Sequence, residues 1–126
     1  MRNILFRGKR LDNGEWVYGS LVTFNGFHVI VDHHTPNGDE VRVIANTVGQ
    51  YTGLQDKNGK EIWEGDIVMA ETNDEDHPMS ELPFVIVFSD GAFCIAEDEE
   101  SPWAPIDTFM DMEVIGNIHD HPNLLK

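Results

Sequence analysis

The sequence has one cysteine, eight Lys and Arg residues and no apolar run long enough to cross a bilayer, and each shortage closes off a class of protein. Cys94 alone cannot close an internal disulfide, and its place between Phe93 and Ile95 reads as a buried thiol, not a nucleophile. A membrane helix needs about 20 apolar residues. At the N-terminus only Ile4, Leu5 and Phe6 stand together before Arg7, which is too short for the apolar region of a signal peptide. The expectation is a cytoplasmic protein that does not touch a membrane. Helical periodicity is also missing. No window sustains a 3.6-residue apolar repeat with capping residues, which leaves at most one short helix, over Ile106–Met112 behind Pro105.

The scarcity of cations is the strongest bulk signal. Eight Lys and Arg stand against 23 Asp and Glu, a net charge of −15. Binding to a phosphate backbone needs clustered cations that displace counterions, so nucleic acid is disfavoured as a partner. The one small cluster is Arg7, Lys9 and Arg10, of which Arg7 and Lys9 share a face of an extended strand. The carboxylates crowd into Glu71–Glu81, with Asp74, Glu75 and Asp76, and into Glu97-Asp98-Glu99-Glu100; both stretches read as solvated loops. Thr72–Ser80, which adds His77 and Pro78, reads as a long mobile loop. Residues 97–105 read as a second, with Trp103 pinning it to the body.

What the chain has in abundance is hairpin punctuation. Asn13-Gly14, Asn25-Gly26, Asn37-Gly38, Asn58-Gly59 and Asp90-Gly91 are the pairs that two-residue turns of positive φ favour. The first three recur every twelve residues, one strand plus one turn, so the N-terminal part reads as a meander of Ile4–Arg10, Glu15–Phe24, Phe27–Asp32 and Val41–Ile44. Further strands are expected at Ile67–Met69, Phe84–Phe88, Ala92–Ile95 and Met112–Ile118, and Asp90-Gly91 should join two of them tightly. The fold class is all-β and mainly antiparallel. At 126 residues, one domain of ordinary size accounts for the whole chain.

The stretch Val48-Gly49-Gln50-Tyr51-Thr52-Gly53-Leu54, followed by Asp56-Lys57-Asn58-Gly59-Lys60-Glu61-Ile62-Trp63-Glu64-Gly65-Asp66-Ile67-Val68, resembles the signature of the YopX family of phages and prophages. The opening Phe6-Arg7-Gly8-Lys9-Arg10, the strand Gly14–Gly19 and the closing Val114-Ile115-Gly116-Asn117-Ile118 are also similar to it. Trp63 departs from the tyrosine often found there, and His33-His34 and the acidic stretches match no family pattern. The resemblance implies an SH3-like barrel within a mostly β fold, and no catalytic residues. On this reading residues 1–52 form an N-terminal meander, 53–120 the SH3-like barrel part and 121–126 a peripheral tail. The setting it implies is the cytoplasm of a bacterial host, with a host or phage protein as partner.

The residues themselves offer little chemistry. Asp32 and His34 share one side of a strand, as do His119 and His121, and such a set is a candidate for a divalent metal. Adjacent His33 and His34 face apart, and no cysteine pair supports zinc, so no metal or cofactor is expected. Asp66 and Glu64 are a candidate carboxylate pair, although residues two apart before a strand more often shape a turn. No serine elbow, phosphate-cradling glycine loop or paired-histidine helix motif is present. The expectation is a non-enzymatic interaction module, with Trp16, Tyr51, Trp63 and Trp103 as candidate contact residues. DNA mimicry by the carboxylates is a special case. Direct nucleic-acid binding, or a metal-dependent enzyme using Asp32, His34, His119 and His121, is the alternative. Homo-oligomers through exposed edge strands are compatible with this reading.

Overall fold

The computed structural model describes residues 4–74, 77–100, 102–106 and 112–125, with the backbone alone described for 71–74, 77–82 and 103. Among these residues the structure is all-β and antiparallel, with two sheets and only short 3-10 turns, Ala45–Thr47 and Pro122–Leu125 among them. The helical turn expected over Ile106–Met112 lies largely outside the described residues. Two compact units divide the chain at Tyr51/Thr52.

In the N-terminal unit, β1 (Phe6–Lys9), β2 (Trp16–Phe24), β3 (Phe27–Asp32) and β4 (Glu40–Arg42) form a meander. Phe6 and Arg7 of β1 also pair with Gln50 and Gly49, the start of β5 (Gly49–Gln55). Pairing of Phe24 with Phe27 leaves Asn25-Gly26 as the whole β2–β3 loop, at φ values of 50° and 80°. Positive φ at both positions gives the turn the twist of its strands, and an asparagine followed by glycine adopts it with little strain. One face of the sheet buries Val17, Ile30, Val41 and Val43, with Phe6, Leu21 and Val48 packed against them. The meander curls around this core so that the residues at the end of β1 meet those of β4. Leu11 N–H donates to the Arg42 carbonyl, Ile44 N–H to the Lys9 carbonyl, and Arg10 bridges Val43. The approach is close, since a Cβ on Gly8 would lie 3.0 Å from the Val43 Cβ, a tight contact that Val43 would have to yield to.

In the C-terminal unit the later part of β5 is followed by β6 (Glu61–Trp63), β7 (Asp66–Asp74), β8 (His77–Ser89), β9 (Ala92–Ala96), β10 (Pro102–Pro105) and β11 (Met112–Asn117). The last five form a sheet in the order β10-β9-β8-β7-β11, a four-strand meander whose first strand also takes the last. Asp90-Gly91 is the entire β8–β9 loop, as its sequence predicts. Ile62, Val68, Ala70, Phe84, Ile86, Phe93, Ile95, Ile106 and Met112 make one core.

Two expectations need correction. The sheet of the C-terminal unit stays open and forms no closed barrel, with β10 and β11 as its margins among the described residues. β10 starts and ends in proline, which lacks the N–H needed to carry the ladder onward. Nor, among its described residues, is Thr72–Ser80 a loop. The ladder nucleated by the apolar residues of β7 and β8 runs on to Asp74 and His77, absorbing an irregularity between Thr72 and Asn73. Charge and Pro78 suggested a break, but the register inherited from the core is cheaper to extend than to abandon.

Candidate functional site

The residues of the central motif act on the backbone. Asp56 is 8 % exposed, and its Oδ1 accepts from the N–H groups of Asn58 and Lys60 while Oδ2 accepts from Val114 N–H, 58 positions away. Burial pushes this carboxyl up, but the three backbone bonds together outweigh it and hold it below the usual aspartate value. Asp66, 3 % exposed, accepts from Trp63 N–H at 2.8 Å and so closes the β6–β7 turn. Asn117 repeats the device at the far end, its Oδ1 accepting from the N–H groups of His119 and Asp120. These side chains are committed to turns, which is what the spacing of Glu64 and Asp66 led us to expect.

The four aromatic candidates fall in different surroundings. Trp16 is half-buried in the N-terminal sheet, with the Arg7 guanidinium 4.5 Å and the Lys9 ammonium 5.6 Å from its ring centroid. Alternation along paired strands sets Tyr18 and Tyr51 on this same side, opposite to the core. Arg7 is only 6 % exposed, so its charge is out of reach of a phosphate backbone. Arg10 is equally engaged, by a two-bond contact to Asp12 at 2.9 Å that raises its already high pKa. Trp63, at 5 % exposure, is a core residue of the C-terminal unit. The Trp103 side chain lies outside the described residues.

Among the described residues the histidines do not assemble a metal centre. His34 Nδ1 stands 3.5 Å from Asp32 Oδ1 in the N-terminal unit, and His33 Nε2 pairs with Ser20 Oγ at 2.9 Å. His121 Nδ1 accepts from Asn117 N–H at 3.3 Å in the C-terminal unit. Among the described residues no group of three or more His, Cys, Asp or Glu is placed to hold an ion. Cys94 is buried, as expected, with its Sγ 3.6 Å from the Ala92 carbonyl.

What sequence reasoning missed is the partition of charge between the units. Residues 1–51 hold five Lys and Arg against five Asp and Glu; residues 52–126 hold three against eighteen. The whole surplus of −15 therefore belongs to the C-terminal unit, and the N-terminal unit is neutral. A count of charges on either side of the division between residues 1–52 and 53–120 that the family resemblance implies would have found it.

The neutral unit instead shows apolar surface. Val22, Phe24 and Phe27 are 46 %, 66 % and 47 % exposed at the tip of the β2–β3 hairpin, and the Arg42 guanidinium lies 3.9 Å from the Phe27 ring centroid.

Comparison with known proteins gives a consistent picture. The family model described as "YopX protein" matches residues 5–126. The fold is similar to the crystal structure of protein EF1440 from Enterococcus faecalis, with a TM-score of 0.61 and 23 % identity over 100 % of both chains. No curated protein matches the chain.

Proposed function

Since the chain belongs to the YopX family, whose members are found in phages and prophages, we propose that it is a non-enzymatic interaction module acting in the cytoplasm of a bacterial host. The observation that carries this reading is the confinement of the −15 charge to one unit. Such a field steers positively charged proteins toward the C-terminal unit and repels nucleic acid. The commitment of Asp56, Asp66 and Asn117 to backbone bonds supports a binding role over catalysis. The order of the C-terminal sheet is similar to that of SH3-like barrels, whose loops commonly carry partners. No helix among the described residues is long and apolar enough to cross a membrane.

DNA mimicry is the form of this reading that one observation favours. Among the described residues of the first acidic stretch, Glu71, Asp74 and Glu81 stand on paired strand, so the backbone spaces these carboxylate-bearing residues along a ladder that rises about 3.3 Å per residue outside its one irregularity. The test is to immobilise the full chain and pass over it purified basic DNA-binding proteins of the host, first alone and then with duplex DNA. Retention at about 50 mM salt that is lost at about 500 mM and competed by DNA is the expected result. Retention of none, or retention indifferent to salt, would remove the electrostatic reading. Direct nucleic-acid binding predicts a shift of labelled DNA by the chain itself at low salt; with Arg7 buried and Arg10 held by Asp12, none is expected.

A further inference from the structure

We infer that the β2–β3 hairpin tip of the N-terminal unit is a two-fold contact between copies of this chain. Phe24 and Phe27 are directly opposite in the register and Val22 lies two residues before Phe24, so the three share a face. Aromatic side chains carry about 150–250 Å² each. At exposures of 66 % and 47 %, the two rings with Val22 present on the order of 300 Å², the size of the largest apolar patch on an ordinary monomer. The Asn25-Gly26 turn also fixes the loop at two residues and so sets the two rings side by side. The tip therefore offers aromatic anchors at little entropic cost.

A second copy is the occupant that the charges select. Each chain carries −15, and any contact through the C-terminal unit would bring like charge together. The N-terminal unit, with five cations and five anions, is the part that two copies can join without that repulsion. Its rim is self-complementary. Arg42 and Glu40, two apart on β4 and both exposed, lie on the face of Phe27, so a two-fold axis sets the Arg42 of each copy toward the Glu40 of the other. Beside them is a surface hollow of about 380 Å³ lined by Arg10, Leu11, Asp12, Glu40, Val41 and Arg42. Leu11 is 55 % exposed there, an apolar floor for a ring. Arg42 both lines the hollow and packs on the Phe27 ring, so tip and hollow fall within one patch, and a two-fold contact seats the tip of each copy at the hollow of the other. The apolar centre is well below the ~800 Å² per partner of a standard interface, so the dimer forms over micromolar concentrations and dissociates on dilution.

The experiment is sedimentation equilibrium on the full chain from about 1 to 500 μM, with thermal melts run alongside. A monomer–dimer equilibrium is expected, strengthened as salt screens the −15 charges. Phe24→Ser and Phe27→Ser weaken it by about tenfold or more each, with melting unchanged because both rings are exposed. Arg42→Glu and Glu40→Arg each weaken it, and the double exchange restores it to within about threefold of the original. A chain that stays monomeric throughout, a dimer that survives Phe24→Ser, or an open-ended oligomer overturns the inference. So does a double exchange no better than the singles. Capture of basic proteins by the C-terminal unit is read separately, so the two proposals fail independently.

Discussion

Replacing Asp56 by asparagine tests whether one carboxylate clips the 56–60 turn to β11. The Oδ1 bonds to Asn58 and Lys60 are each 2.9 Å and the Oδ2 bond to Val114 is 3.0 Å. Asparagine keeps an acceptor at the first position but sets an NH2 against the Val114 N–H at the second. One charge-assisted bond is lost, the other two become neutral, and two donors face each other, a cost of about 2–4 kcal/mol. The pH dependence has a definite sign. Because the folded carboxyl sits below its ordinary value, its contribution is complete above the unfolded value of about 4 and disappears as the pH falls through the folded one. The difference in stability between the original chain and the Asp56→Asn variant should therefore be full at neutral pH and narrow as the solution is acidified below about pH 4. Urea titrations read by tryptophan fluorescence at stepped pH measure both effects. A variant within about 0.5 kcal/mol of the original at neutral pH, or a difference that stays constant into strong acid, would refute the clip.

Gly19→Ala should destabilise the N-terminal unit by roughly 3 kcal/mol or more, read as a lower melting temperature, because the new Cβ would lie 1.9 Å from the Val31 carbonyl oxygen on paired backbone. Ile86→Ala, at a fully buried position of the C-terminal core, should cost about 2–5 kcal/mol by urea titration. Cys94, 8 % exposed, should react with a thiol reagent far more slowly in the folded chain than in denaturant; equal rates would place it at the surface.

The parts of the fold written in local chemistry were legible. Asn25-Gly26 and Asp90-Gly91 specify tight loops by themselves, and Phe27–Asp32 needed only its alternation and its flanks. Strands β5, β6 and β10 were not read as strands, because their places come from pairing and not from propensity. β5 holds glycines at both Gly49 and Gly53, and β10 is bracketed by prolines. The strand state of Thr72–Asp74 and His77–Ser80 was hidden for the same reason, as a charged segment follows the register of the apolar ladder beneath it. At the candidate sites, side-chain identity gave Trp16 but not the Arg7 and Lys9 packed over it, since a cation on an aromatic face is a tertiary fact. The exposed hairpin tip was invisible because Phe24 and Phe27 look like core until the face opposite Ile30 is known.

The partnership of Asp56 with Val114, and of β7 with β11, bears on how the chain is made. Asp66, which begins the first strand of its sheet, rests beside Asn117, which ends the last. On the ribosome the seventh strand emerges long before the eleventh, and its outer rim, like the carboxylate at the 56–60 turn, must wait until residues 112–117 have emerged. The second half is locked only at that step. A nascent chain stalled short of residue 112 would leave an unfinished rim for chaperones or proteases to find, while the first half, whose last pairing comes at Gln50, could already have settled.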